Sequence, residues 1–307
     1  MIRSRRIGGS LALASLTLAA ALAGCGAQAS ALQRSARSLP TSRPSAPETA
    51  APVPCGLTGQ RLAALGATVP MGSVTTVYPH SPPGRNLNMS IAARSLCGRV
   101  LAPGATLSFN AAIGETTEAR GYTYGPTFVG NRVVPGLGGG VCQVATTLYD
   151  AARKAGIQVL ERHNHGMRVP YVPPGEDATV FAPSLDLVIR NSTHGPIVVA
   201  AESDQNRVTV GLVGTEKPPR TAFRHETLST TAFPTIRIAD PSLPHGREET
   251  VQEGVDGTVT HTWFVIQRAG KPERVIDLGI DRYRPSPHVV RYGTAPLPSG
   301  NASAPAP

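Results

Sequence analysis

Residues 138–157 read GGGVCQVATTLYDAARKAGI, and the rest of the fold is read outward from them. Val141, Val144, Leu148 and Ala152 recur three to four residues apart, the stripe of a helix with one buried face. Gly156 is its stop signal. Glycines at 138, 139 and 140 give the preceding turn conformational freedom and allow another backbone to approach closely. Cys142 then falls in the first helical turn. There the partial positive charge lowers a thiol's pKa, and unpaired backbone N–H groups offer donors to an oxyanion.

Around this helix the pattern changes to short strands. RNLNMSIAARSLCG (85–98) predicts a short helix, with Leu87, Ile91 and Leu96 at near-helical spacing and Gly98 as its end. RVLAPGATLSFN (99–110) reads as strand, turn and strand, and YTYGPTFVGNRVVPG (122–136) as a hairpin turning at Gly130-Asn131. QVLERHNH, SLDLVIRN, PIVVAAES and RVTVGLVG complete a unit spanning about 55–215. The expected class is α+β: a mostly antiparallel sheet with one dominant helix starting at the Cys142 motif. A small β-rich module is expected over 216–294, with REETVQEGVDGTVTHTWFVIQR as a hairpin and HVVRYGT as a closing strand. Binding or spacing is its expected task.

The ends of the chain read as addressing and solvated segments. Arg3, Arg5 and Arg6 precede an apolar run that finishes in LAGC (22–25), the pattern of a bacterial lipobox. A signal peptide over 1–24 and a lipidated Cys25 follow from that reading, with the membrane as a partner through Cys25. Residues 25–54 are rich in Ser, Ala, Pro and Arg without an apolar period, which predicts a disordered tether; 295–307 predict a second tail. The chain carries 29 Lys+Arg against 20 Asp+Glu, yet Lys154, Lys217 and Lys271 are its lysines and the other basic residues are arginines. No basic cluster with interleaved aromatics accompanies the charge, so nucleic acid is not an expected partner. No apolar run of spanning length follows the leader, which excludes a polytopic membrane protein.

The residues that carry chemistry lie on both sides of the main helix. In ERHNHG (161–166), strand alternation predicts His163 and His165 on one face, Arg162 and Asn164 on the other. A helix-start cysteine followed by a strand histidine is the order used by papain-like thiol enzymes. Cys142 is the candidate nucleophile, His163 or His165 the base, and Asp177 or Asp186 the group that orients the imidazole. Gly138, Gly139, Gly140, Gln143 and Arg162 are the candidate substrate contacts. Two other readings stand beside this one. The histidine pair with Glu161 or Cys142 has the donor types of a zinc site. Alternatively, a cysteine at a buried helix start and glycines in a tight turn are plain architecture. No cofactor is expected. Glu115 and Glu118 are weaker candidates, read mainly as solvated loop residues. With Cys25 lipidated, Cys55, Cys97 and Cys142 remain, an odd number for an oxidising compartment. A Cys55–Cys97 disulfide would pin the start of the folded unit and leave Cys142 as the free thiol.

RNLNMSIAARSLCGRVLAPGATLSFN, IGETTEARGY, VPGLGGGVCQVATTLYDAARKAGI, ERHNHGMRVPYVPPGEDATV and LDLVIRNSTHGPIVV together resemble the VanW-like family, in family order across about 75–213. The chain departs from that pattern at Cys97, where the family pattern has an asparagine, in keeping with a local disulfide. The segment with EETVQEGVDGTV and RYGT looks like a glycine-containing extracellular module. The resemblance implies a cell-envelope setting near peptidoglycan and supplies no reaction. The resulting expectation is a monomeric, lipid-anchored, extracytoplasmic protein acting at peptidoglycan through Cys/His chemistry on peptide stems. The alternatives are a non-catalytic wall-binding lipoprotein and a zinc-dependent hydrolase.

Overall fold

The computed structural model describes residues 56–129 and 132–295. The expected signal peptide, Cys25, the tether, Cys55, the Gly130-Asn131 turn and most of the C-terminal tail lie outside the described residues. No helix among the described residues is long and apolar enough to cross a membrane.

The first part begins with α1 (Gly59–Ala64), whose end is capped by the Thr58 hydroxyl accepting from Arg61 N. Then come β1 (Val69–Val77), α2 (Pro83–Leu96), β2 (Val100–Leu101), β3 (Thr106–Ser108) and α3 (Phe109–Ile113). A 3-10 turn (Glu118–Arg120) leads into the hairpin β4 (Tyr124–Val129) and β5 (Arg132–Leu137). Next are α4 (Val141–Lys154), β6 (Gln158–Glu161), β7 (Val188–Arg190), β8 (Ile197–Asp204) and β9 (Arg207–Gly214). β1-β9-β8-β2 form one antiparallel sheet and β3-β7-β6 a second.

α4 is covered on nearly every side: even its Gln143, Thr146, Thr147 and Asp150 are buried. Buried polar side chains need partners. Thr147 Oγ1 donates to the Gln143 carbonyl (2.7 Å), Gln143 Nε2 donates to Thr76 Oγ1 (3.0 Å), and Thr146 Oγ1 bonds Ala178. These bonds tie α4 to β1 and to the segment after residue 165. α2 lies beside it, burying Arg85, Asn88, Met89, Ala92, Ala93 and Leu96. Leu87, part of the apolar spacing that marks this helix in the sequence, is exposed, and the inward stripe includes an arginine and an asparagine.

The second part contains β10 (Arg220–Thr231), β11 (Thr235–Pro244), β12 (Glu248–Gln252), β13 (Gly257–Gln267), β14 (Arg274–Tyr283) and β15 (His288–Ala295). They make two three-stranded sheets, β10-β13-β14 and β11-β15-β12, the latter with β11 parallel to β15.

Two expectations are corrected. The fold is mostly β, with five sheets among the described residues, rather than α+β around one dominant helix. α2 and α4 are each 14 residues long, and long strands fill the C-terminal part. The helical stripe of α4 stood out because it is so apolar, not because it is the main element. The expected hairpin over residues 247–268 is also absent: β12 pairs with β15, whereas β13 pairs with β10 and β14. Alternation identifies strands but not their partners, and those partners are distant in sequence.

Candidate active site

Cys142 sits in the first turn of α4, placed there by the glycine turn. Gly140 has φ +111° and an added Cβ would meet Arg85 Cγ at 2.7 Å; at Gly139 it would meet the Gly125 backbone at 2.4 Å. Asn88, fully buried on α2, fixes the same turn by donating through Nδ2 to the carbonyls of Gly139 and Thr123, both at 2.9 Å. The glycines therefore bring three chain segments together at the foot of α4.

β6 stops at Glu161, and the residues after it are irregular, so His163 and His165 do not share a strand face. His163 is half-exposed and its Nε2 bonds Glu161 Oε1 at 2.9 Å, away from the cysteine. His165 turns inward, 4% exposed, and lines the same cavity as Cys142, near enough for its charge to act on the thiol. Its Nδ1 is engaged by Asp177 Oδ2 at 2.7 Å, which leaves Nε2 for the sulfur. Cys142 also donates toward the Val180 carbonyl (3.5 Å) and contacts Thr179 Oγ1 (3.6 Å).

Asp177 is fully buried and receives four donors. The His165 backbone N–H (2.6 Å) joins the His165 ring at Oδ2, while Arg162 Nη2 (3.0 Å) and the Tyr283 hydroxyl (2.5 Å) reach Oδ1. Arg162 in turn holds Asp281 with Nη1 at 2.8 and 2.6 Å and donates from Nε to the Asp177 carbonyl at 2.6 Å. Asp186, the other candidate to orient the imidazole, is engaged elsewhere. It accepts from Ser108 Oγ and from Asn110 N (2.9 Å) at the start of α3.

The charges follow from this wiring. Burial by itself pushes the Cys142 thiol up, but the neighbouring charge of His165 holds it below its ordinary value. Burial opposes protonation of His165, yet Asp177 and Cys142 raise it to about 9. Asp177 stays below the usual carboxylate range despite burial, because His165 and Arg162 stabilise its anion. A thiolate–imidazolium pair backed by a carboxylate is the state this arrangement favours.

Cys142 and His165 open onto a cavity of about 550 Å³, walled by Phe128, Val141, Val180 and Phe181 among others. A second cavity, of about 1020 Å³, runs along β6 and reaches His163, Arg162 and Asp281 but neither Cys142 nor His165. Gly138, Gly139 and Gly140 line the Cys142 cavity. Gln143 is fully buried on its way to Thr76, and Arg162, its side chain 12% exposed, is held between two aspartates. Glu115 and Glu118 are exposed. The amides of Val141 and Gln143 are bonded to the carbonyls of Gly138 (3.1 Å) and Gly140 (3.0 Å), so neither is open to a substrate oxygen.

Among the described residues, no three of the His, Cys, Asp and Glu side chains converge in a metal-binding group. His163 and His165 face different partners, which is why the zinc expectation finds no site here. The sequence reading missed Asp281 and Tyr283, which lie more than a hundred residues beyond Asp177 and carried no local signal. It also missed Arg85, whose signal was present: Arg85, Asn88, Met89, Ala92 and Leu96 form a helical stripe with an arginine in it.

A helix-start cysteine and a buried histidine thus share one cleft, with a buried carboxylate holding the histidine from behind, on a two-part, mostly β chain. Residues 84–213 match the family described as VanW like protein, and residues 224–295 match the G5 domain. The chain thus carries a VanW-like region followed by a G5-like region. It is similar to the uncharacterized protein YoaR of Bacillus subtilis (strain 168), 38% identical over 136 residues, covering 44% of this chain and 45% of YoaR. It is also similar to the vancomycin B-type resistance protein VanW of Enterococcus faecalis (strain ATCC 700802 / V583), 25% identical over 142 residues, covering 45% of this chain. The chain spans about half the length of these curated relatives, 45% of the first and 51% of the second. The solved G5 domain of an IgA1 protease aligns with 26% of this chain and 96% of its own, at 22% identity and a TM-score of 0.18, too slight a likeness to support a statement of fold.

Proposed function

We propose that this protein is a cysteine-dependent peptidase or acyltransferase acting on peptide stems of the cell wall. The observation that carries the reading is the relay Cys142–His165–Asp177, buried at its aspartate end and open to a cleft at its sulfur. In the reaction, the Cys142 thiolate attacks the substrate carbonyl carbon and forms a C–S bond. As the C–N bond breaks, protonated His165 gives its proton to the leaving amine. Water, or a second amine, then attacks the thioester and passes a proton to His165 as the thiolate leaves. Asp177 holds the Nδ1–H tautomer throughout and stabilises the imidazolium.

An envelope setting is supported by the leader and lipobox of the sequence and by kinship with a protein named for vancomycin resistance. In this reading the mature chain begins at lipidated Cys25, and residues up to 54 tether the catalytic part outside the cytoplasmic membrane. A disulfide joins Cys55 to Cys97; Cys142 is the free cysteine among the described residues. The catalytic unit runs over about 55–215 and the β-rich module over about 216–294. The protein acts as a monomer.

The test compares the chain with its Cys142→Ala variant on peptidoglycan fragments, following released or exchanged peptide by mass spectrometry. Loss of turnover in the variant is expected. Turnover unchanged by Cys142→Ala overturns the reading, as does a wild-type chain that leaves every fragment intact, the outcome a wall-binding protein would give.

A further inference from the structure

The Cys142 cleft contains a cation without a carboxylate partner among the described residues. Arg85 projects from α2 and lines the same cavity as Cys142, His165 and Tyr171, yet it is only 3% exposed. No carboxylate among the described residues pairs with it. The hydrogen bonds its guanidinium makes there are from Nη1 to Ser81 Oγ at 3.4 Å and to Met89 Sδ at 3.1 Å, both poor acceptors of charge. The guanidinium carbon lies 3.9 Å from the centre of the Tyr78 ring, so one face of the group is covered by an aromatic.

Burying an arginine without an anion is costly, and folds avoid it unless a partner completes the site. The half-buried Arg162 nearby shows the usual solution: it holds Asp177 and Asp281. Burial pulls Arg85 below the ordinary arginine value, while Cys142 is among the groups whose negative charge pulls it back. The fold also goes to some length to place this side chain. Gly140 must lack a side chain because Arg85 occupies the space where its Cβ would be, and the α-carbon of Arg85 lies 3.3 Å from the Cβ position of Gly125.

We propose that Arg85 is a carboxylate-binding subsite of the Cys142 cleft, so that the substrate carries a free carboxylate near its reacting carbonyl. The proposal rests on the thiol reading of that cleft. Arginine's planar fork matches a carboxylate through two parallel hydrogen bonds. One cation in a largely apolar pocket suits one negative charge rather than a doubly charged phosphate. The Tyr78 ring orients the fork by covering one face and leaving its edge free. Docking a carboxylate there would neutralise the buried charge and fix the acyl chain relative to the sulfur.

The test is equilibrium binding of N-acetylglycine and of its neutral amide to the Cys142→Ala chain, followed by NMR titration. Removing the thiol separates the subsite from the chemistry. The acid is expected to bind at least tenfold more tightly than the amide, and Arg85→Met is expected to abolish that difference while amide binding stays. Arg85→Lys, which keeps the charge but loses the fork, is expected to retain only part of the preference. Equal binding of acid and amide, or a preference that survives Arg85→Met, overturns the proposal, and so does a failure of both ligands to bind. If Arg85→Met does not fold, the acid–amide comparison on the Cys142→Ala chain and the Arg85→Lys result still decide it. A Cys142 that proves unreactive in the wild-type chain while the acid preference holds overturns the thiol reading and leaves the subsite standing.

Discussion

At the level of single residues, His165 sets the direction in which the Cys142 thiol is shifted. Burial alone would make the thiol harder to ionise, and the imidazolium reverses that sign. Replacing His165 by Gln removes the opposing charge while keeping a polar side chain of similar reach. The pH midpoint for Cys142 alkylation by iodoacetamide should then rise from below the ordinary thiol value to above it. His163→Gln should leave the profile in place, because that ring faces Glu161 on the surface. A profile moved equally by both substitutions would mean that general electrostatics, not the contact with His165, sets the thiol. Asp177→Asn tests the next link. An amide cannot stabilise the imidazolium, so the His165 pKa, raised to about 9 in the folded chain, should fall and the alkylation midpoint rise with it. The sequence exposed the residue types of this relay and their order, but not which histidine turns inward. That choice depends on β6 ending at Glu161, after which the chain leaves strand geometry and alternation no longer applies.

At the level of elements, the glycine turn before α4 shows why a motif can be legible while its reason is not. The run at 138–140 signals close approach, but the sequence does not say to what. In the structure the partner of Gly139 is the backbone of Gly125 on β4, which cannot move aside as a flexible side chain would. Gly139→Ala is therefore expected to destabilise the chain by about 1–3 kcal/mol through overpacking, read as a lower urea midpoint. Gly98→Ala, where an added Cβ meets nothing within 4 Å, bears only the strain of a φ of +81° and should cost less. Equal costs at the two positions would show that backbone conformation, not packing, explains the motif. α4 itself was legible from its stripe, and most strands of the first part from their alternation. The pairing of β12 with β15, and of β13 with β10 and β14, was not, since register between distant strands leaves no mark in a local pattern. The same limit applied to α2, whose inward face was hidden by the polar character of Arg85 and Asn88.

At the level of the whole molecule, the C-terminal part contributes side chains to the candidate site. Tyr283 and Asp281 at the end of β14 reach the Asp177 carboxylate and its Arg162 partner across the boundary between the two matched regions. Cutting either contact leaves a buried charge short of a partner, which costs more than the contact's own net strength. The two parts should therefore unfold together, in one transition seen alike by probes in each. A double-mutant cycle with Tyr283→Phe and Asp177→Asn measures the link. Tyr283 donates to Asp177 Oδ1, a charge-assisted bond in a dry setting, so the two losses should be non-additive by about 1–3 kcal/mol. Strictly additive losses, or two separated unfolding transitions, would show that the module is only appended. Coupling of the expected size would mean that the relay carboxylate, and through it the pairing of His165 with Cys142, depends on a domain whose sequence contains no catalytic motif. Its role would then include holding the catalytic carboxylate in place as well as any binding of its own.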